Sequence, residues 1–165
     1  MTKITDAARQ WLATLLLEKP IYLAWGEGLP TWDNDDKTTE VLEGLTGLEN
    51  EIARRRIAIT GYVVPDSNGD IQTPDGNYRL SAEPTNFLYF KCVFDFADDT
   101  AATIRELGIF IDGSVDDSLP AGQQYFTPEQ VTEPGVLFGA ARFSDDIVRN
   151  ATTRHIFEFV LPILS

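Results

Sequence analysis

Apolar positions recur at helical spacing near the start of the chain and at strand spacing along most of the rest. Ala8, Trp11, Leu12, Leu15 and Leu16 make one stripe over residues 5–19, which predicts a helix. Thr5 or Asp6 offers a side-chain oxygen to the free N–H groups of its first turn, and Pro20 stops it. Residues 21–25 read as a strand, 26–53 as irregular chain rich in Gly, Asp and Thr. Residues 54–64 read as one strand, with Ile57 and Ile59 alternating with Arg56, Ala58 and Thr60. Pro65 to Asp70 is a turn in which Asn68-Gly69 supplies the positive φ of a tight hairpin, and Pro74 to Asn77 is a second turn before a short strand at 78–81.

Residues 87–96 form the longest expected strand, with Leu88, Phe90, Cys92, Phe94 and Phe96 on one face. In 103–111, Ile104, Leu107, Ile109, Phe110 and Ile111 put bulk on both faces, so this strand is expected to be buried on both sides and to pair with 87–96. A Gly/Pro/Asp-rich excursion at 112–135 precedes a final pair of strands, 136–143 and 155–164. A helix followed by six or more strands with turn signals between them predicts a mainly β protein. The expected form is an antiparallel β-sandwich with an N-terminal α-helix and long irregular loops, a closed barrel being the alternative. Residues 1–20 are expected as a helix packed on the domain or on a neighbour, and 21–165 as a single β-sandwich domain.

Composition narrows the function. The chain has 165 residues, net charge −13 and a pI near 4.3, which disfavours binding nucleic acid phosphates through a basic surface. Cys92 is the single cysteine, so neither an internal disulfide nor a cysteine zinc site is expected. No stretch of about 18 apolar residues and no leader pattern is visible, so synthesis in a cytoplasm and no membrane partner are expected.

Candidate chemistry is sparse. His155, the single histidine, sits beside Thr152, Thr153 and Arg154 with no nucleophile motif, so no catalytic residue is expected. Asp33, Asp35 and Asp36, and separately Asp66 and Asp70, cluster carboxylates. The second cluster departs from a Ca²⁺ loop at Ile71 and Asn77, so neither a metal nor a cofactor is expected. Arg54-Arg55-Arg56 is the one basic run, readable as a docking patch or as internal ion pairing. Trp11 on the terminal helix, Trp32 in the acidic loop, Arg54, Arg55, Tyr125 and Phe126 are the interface candidates.

Three motifs occur in order. Ile21-Tyr22-Leu23-Ala24-Trp25-Gly26-Glu27-Gly28 resembles an "aliphatic-A-x-G-x-G" strand and turn, and Leu48-Glu49-Asn50-Glu51-Ile52-Ala53-Arg54 an "L-x-N-E-x-x-R" element. Thr103 to Gly113, with Arg105-Glu106-Leu107-Gly108-Ile109-Phe110, resembles an "R-E-L/I/V-G-L/I-F" strand. Together they resemble the N-terminal, baseplate-attachment domains of phage tail fibres over roughly residues 20–113. In fibres this domain leads into a long shaft, which the 165 residues do not hold.

The resemblance implies a structural virion component of a phage tail: a baseplate, neck or fibre-attachment adaptor. It would dock other tail, baseplate or fibre proteins, and itself as a homo-oligomer, in a symmetric assembly. In that context Glu51 and Arg54 are expected to pair with Arg105 and Glu106 and pin the loop over the sheet. A carbohydrate-binding β-sandwich module using Trp32, Tyr125 or Phe126 is the alternative, and a small hydrolase built on His155 is a third reading.

Overall fold

A computed structural model describes residues 1–34, 42–99 and 101–164. The elements run α1 (Asp6–Leu17), β1 (Ile21–Gly26), a 3-10 turn (Pro30–Asp33), β2 (Glu51–Arg56), β3 (Ile59–Pro65), β4 (Ile71–Thr73), β5 (Gly76–Ser81) and β6 (Phe87–Phe94). They continue with β7 (Thr103–Ile111), β8 (Ser114–Val115), β9 (Tyr125–Phe126), a second 3-10 turn (Pro128–Gln130), β10 (Val131–Glu133), β11 (Val136–Val148) and β12 (His155–Pro162). The protein is mainly β with antiparallel sheets and one N-terminal helix, as the hydrophobic pattern implies.

The chain divides into two compact units. The first comprises Met1–Lys19, Ile57–Val93 and Ile156–Ser165, the second Pro20–Arg56 and Phe94–His155. The first holds the helix and a sheet ordered β12-β6-β3-β5-β4, in which β3 runs antiparallel to β5 and β6, and β4 to β5. Its core gathers Val63, Ile71, Tyr78, Tyr89 and Val160, with Phe87 packed against them. Thr5 caps α1 through its side chain, which accepts from the Ala8 amide at 3.3 Å. Ala13 is buried, and Thr14 takes a hydrogen bond from the Tyr62 hydroxyl. Trp11 is 63% exposed, so the expected stripe is divided: Trp11 and Leu15 face outward while Ala13 faces in.

The second unit is built on a sheet ordered β11-β7-β1-β2-β9, each neighbour antiparallel. Tyr22, Ala24, Phe110 and Phe126 form the core of one face, with Leu48, Leu137 and Val131 packed on it. β7 lies inside the sheet, between β11 and β1, and is buried from Glu106 to Ile111, matching its two-sided apolar pattern. Asp112, in the left-handed region at φ 66°, closes it, and its amide donates to the Pro20 carbonyl.

Several expected connections differ. The strand expected over 54–64 is two strands, broken at Ile57-Ala58, and its halves belong to different sheets. β6 and β7 do not pair; β6 lies between β12 and β3, β7 between β11 and β1. β11 and β12 likewise join different sheets, and β11, at 13 residues, is the longest described strand. Asn68-Gly69 does not take a positive φ. The turn closes through the Gly69 amide on the Asp66 carbonyl, and a side chain at Gly69 would meet the Tyr78 backbone 2.1 Å from its Cβ. The 112–135 excursion is more regular than expected, because β8 pairs with β10 and β9 adds to β2.

Candidate functional site

The motif residues of β1, the 48–54 segment and β7 converge in the second unit. Opposite residues of adjacent strands share a face, so Phe126, Arg54, Ala24, Gly108 and Ala140 form one row across the sheet. Its centre is small. A Cβ on Gly108 would lie 2.9 Å from Leu137 and 3.0 Å from Leu48, so glycine there lets Leu48 press the incoming loop onto the sheet. The next row is Arg142, Glu106, Gly26 and Glu51. A Cβ on Gly26 would lie 2.5 Å from a Glu106 carboxylate oxygen and 2.6 Å from the Asn50 carbonyl. Both glycines are therefore places of close approach.

Glu106, 1% exposed, accepts from the Asn50 amide at 2.9 Å and the Glu49 amide at 3.1 Å, while the Glu27 amide donates to the Asn50 carbonyl at 3.0 Å. A buried carboxylate thus satisfies loop amides that would otherwise be stranded. Glu106→Gln is expected to set its amide N–H against one of those backbone donors. The cost is about 1–3 kcal/mol, read as a drop in urea midpoint together with faster amide exchange at Glu49 and Asn50. Unchanged exchange at both amides would remove the clamp role from Glu106.

Arg54 is 1% exposed. Its guanidinium holds both Glu51 carboxylate oxygens at 2.7 and 2.9 Å, donates to the Pro134 carbonyl at 2.8 Å and lies 4.3 Å from the Phe110 ring centre. Residues three apart in a regular strand face opposite ways. Here the β1–β2 register slips between Trp25 and Gly26, which returns Glu51 to the face of Arg54.

The four expected network residues therefore do not form one cluster. Glu51 and Arg54 pair with each other, Glu106 binds loop amides, and Arg105 pairs with Asp33 and Asp146. The arginine opposite Glu106 is Arg142, which reaches Glu49 at 3.3 Å and lies 4.4 Å from the Trp32 ring centre. Nothing in the local sequence around Arg142 marks it; only the β11–β7 register does.

A second polar centre, not singled out by any motif, surrounds Arg149. This buried guanidinium donates to the carbonyls of Asp95, Asp98 and Thr153, at 2.6, 2.7 and 2.9 Å, and sits 5.1 Å from the Trp25 ring centre. Arg55 binds the Asp98 carboxylate at 2.6 Å, and Arg154 binds that of Asp95 at 3.0 Å. Phe96 and the Arg154 guanidinium hold the Asp95 carboxyl below its ordinary range.

In both centres these donors and acceptors meet the protein's own backbone and side chains. A family described as baseplate wedge 3 tail fiber network component matches residues 1–163. The chain belongs to that family. A baseplate wedge component is a structural part of a phage tail, located in the virion among other tail proteins. No curated protein matches the chain.

For this wedge-family protein the interface candidates divide by exposure. Trp32 is 4% exposed, enclosed by Gly28, whose lack of a side chain lets the ring close on it, and by Arg142. Arg54 and Phe126 are also buried, and Tyr125 and Arg55 half-buried. Trp11 alone of the six is well exposed. Asp35 and Asp36 lie outside the described residues, while Asp66 accepts from the Asn68 amide and pairs with Arg79. Among the described residues no three His, Cys, Asp or Glu side chains gather as metal ligands, and no helix is long and apolar enough to cross a membrane.

Proposed function

We propose that this wedge-family protein is a non-catalytic adaptor, present in several symmetric copies, that works by docking. The observation that carries the reading is the exposed ridge of Trp11 and Leu15 on a helix anchored through buried Ala13 and through Thr14. Tryptophan is over-represented among residues that dominate interface energies, and Trp11 with Leu15, one helical turn apart, makes an exposed apolar ridge. The first 20 residues carry Lys3, Arg9 and Lys19 against Asp6 and Glu18, in a chain of net charge −13. This N-terminal segment, one positive charge in balance, is thus suited to approach the acidic body of a second copy. The carbohydrate reading loses support because Trp32 and Phe126 face the interior.

Mass spectrometry of purified particles tests the role. A fixed stoichiometry set by the rotational symmetry of the tail supports it, and absence from particles ends it. Trp11→Ala is expected to weaken self-association by about tenfold or more while leaving monomer stability within about 0.5 kcal/mol. Sedimentation across a concentration series reads the first effect and thermal melting the second.

A further inference from the structure

We propose that the contact between Arg149 and His155 is an acid-sensitive latch on the turns at 95–98 and 150–153. Arg149 Nη1 lies 2.7 Å from His155 Nδ1. A guanidinium can only donate, so at this distance Nδ1 must carry the lone pair and Nε2 the proton. Protonating the ring puts a second N–H on Nδ1, aimed at a cation already buried, and the contact turns from a hydrogen bond to a repulsion.

The carboxylates of the 95–98 turn are already engaged by other cations. Asp98 faces the cluster from the 95–98 turn but is held by Arg55 of β2, and Asp95 is held by Arg154 beside the histidine. The Tyr125 hydroxyl of β9 lies in the field of Asp99, Asp98 and Arg149, and burial holds it in its neutral form by raising its pKa. Arg149 bridges the two turns through backbone carbonyls alone: Asp95 and Asp98 on one side, Thr153 on the other. The Arg149 amide also bonds the Ala102 carbonyl at 2.8 Å, fixing the end of β11. Displacing Arg149 therefore releases both turns together.

Burial and the Arg149 charge both lower the His155 pKa from 6.5. The unfolded chain then binds more protons than the folded one just below that value, so stability rises with pH through this window. The latch is closed above the unfolded pKa and lost as pH falls through the lower folded one. Asp95, held down by its partners, stays ionised there, which isolates His155 as the trigger.

Two measurements test the latch. In wild-type protein near pH 7.5, ¹⁵N-resolved spectra of the imidazole should show the Nε2–H tautomer, titrating with a midpoint below the free-histidine value. Between about pH 7.5 and about pH 5, hydrogen exchange at 95–98 and 150–153, corrected for intrinsic rates, should accelerate, up to about tenfold for each unit by which the folded pKa is depressed. His155→Gln keeps an acceptor for Arg149 without titrating, and its corrected exchange should stay flat. An Nδ1–H tautomer at neutral pH, or the same acid dependence in His155→Gln, would overturn the proposal.

Discussion

Trp25→Ala is expected to cost about 3–5 kcal/mol, the range for truncating a large buried aromatic, and to lower the thermal midpoint by roughly 6–20 °C. Trp25 is fully buried in the second unit. Its ring stacks on Phe94 with centres 3.5 Å apart, meets Tyr125 edge-on, and its Nε1 donates to the Tyr125 hydroxyl at 3.2 Å. The Arg149 guanidinium rests against it. Removing the indole opens a cavity and also takes a wall from the charge centre that ties the 95–98 and 150–153 turns. Trp25→Phe restores most of the stacking and loses the hydrogen bond, so its cost should be nearer about 1–2 kcal/mol. Equal melting points for the two variants would mean that the hydrogen bond, rather than the ring volume, dominates this position.

Arg54→Ala should cost about 3 kcal/mol, at the low end for breaking a buried ion pair because Glu51 keeps some contact with water. The substitution strips both bonds from the Glu51 carboxylate and one from the Pro134 carbonyl. Lysine is not a remedy. It offers a point charge where a planar fork spans two carboxylate oxygens and lies over Phe110. The combined change Glu51→Gln with Arg54→Met removes the charges together, and equilibrium denaturation should find it less damaging than Arg54→Ala alone. A double variant worse than the sum of its parts would show that the pair itself, and not the orphaned carboxylate, is what the fold depends on.

The local elements of this fold are legible in the sequence because they rest on short-range spacing. The cap at Thr5, the stop at Pro20 and the two-sided apolar run of β7 all follow from neighbouring residues. The pairing of strands is not legible, since it depends on partners far along the chain. β6 and β7 are sequence neighbours with compatible patterns, yet each finds a better place in a different sheet. The motif residues are legible in the sequence, but strand register redistributes their roles. One slipped residue in β2 turns Glu51 toward Arg54, and the alternation along β7 sends Arg105 and Glu106 to opposite faces. Trp32 sits in a loop full of acidic and turn residues, which argues exposure; Arg142, 110 positions later, covers it.

The division of the chain into interleaved segments bears on how the protein is made. The path changes unit after Lys19, Arg56, Val93 and His155, and the first unit receives its strand β12 only from the segment that begins at Ile156. During synthesis the helix and strands β3 to β6 emerge early but wait for β12 at the sheet edge. On a ribosome adding about 5–20 residues per second, that wait lasts several seconds, with the flank of β6 open to intermolecular pairing. Expression yield should therefore respond to slower translation of the 94–155 stretch, through aggregation of nascent chains, even when the finished protein is unchanged.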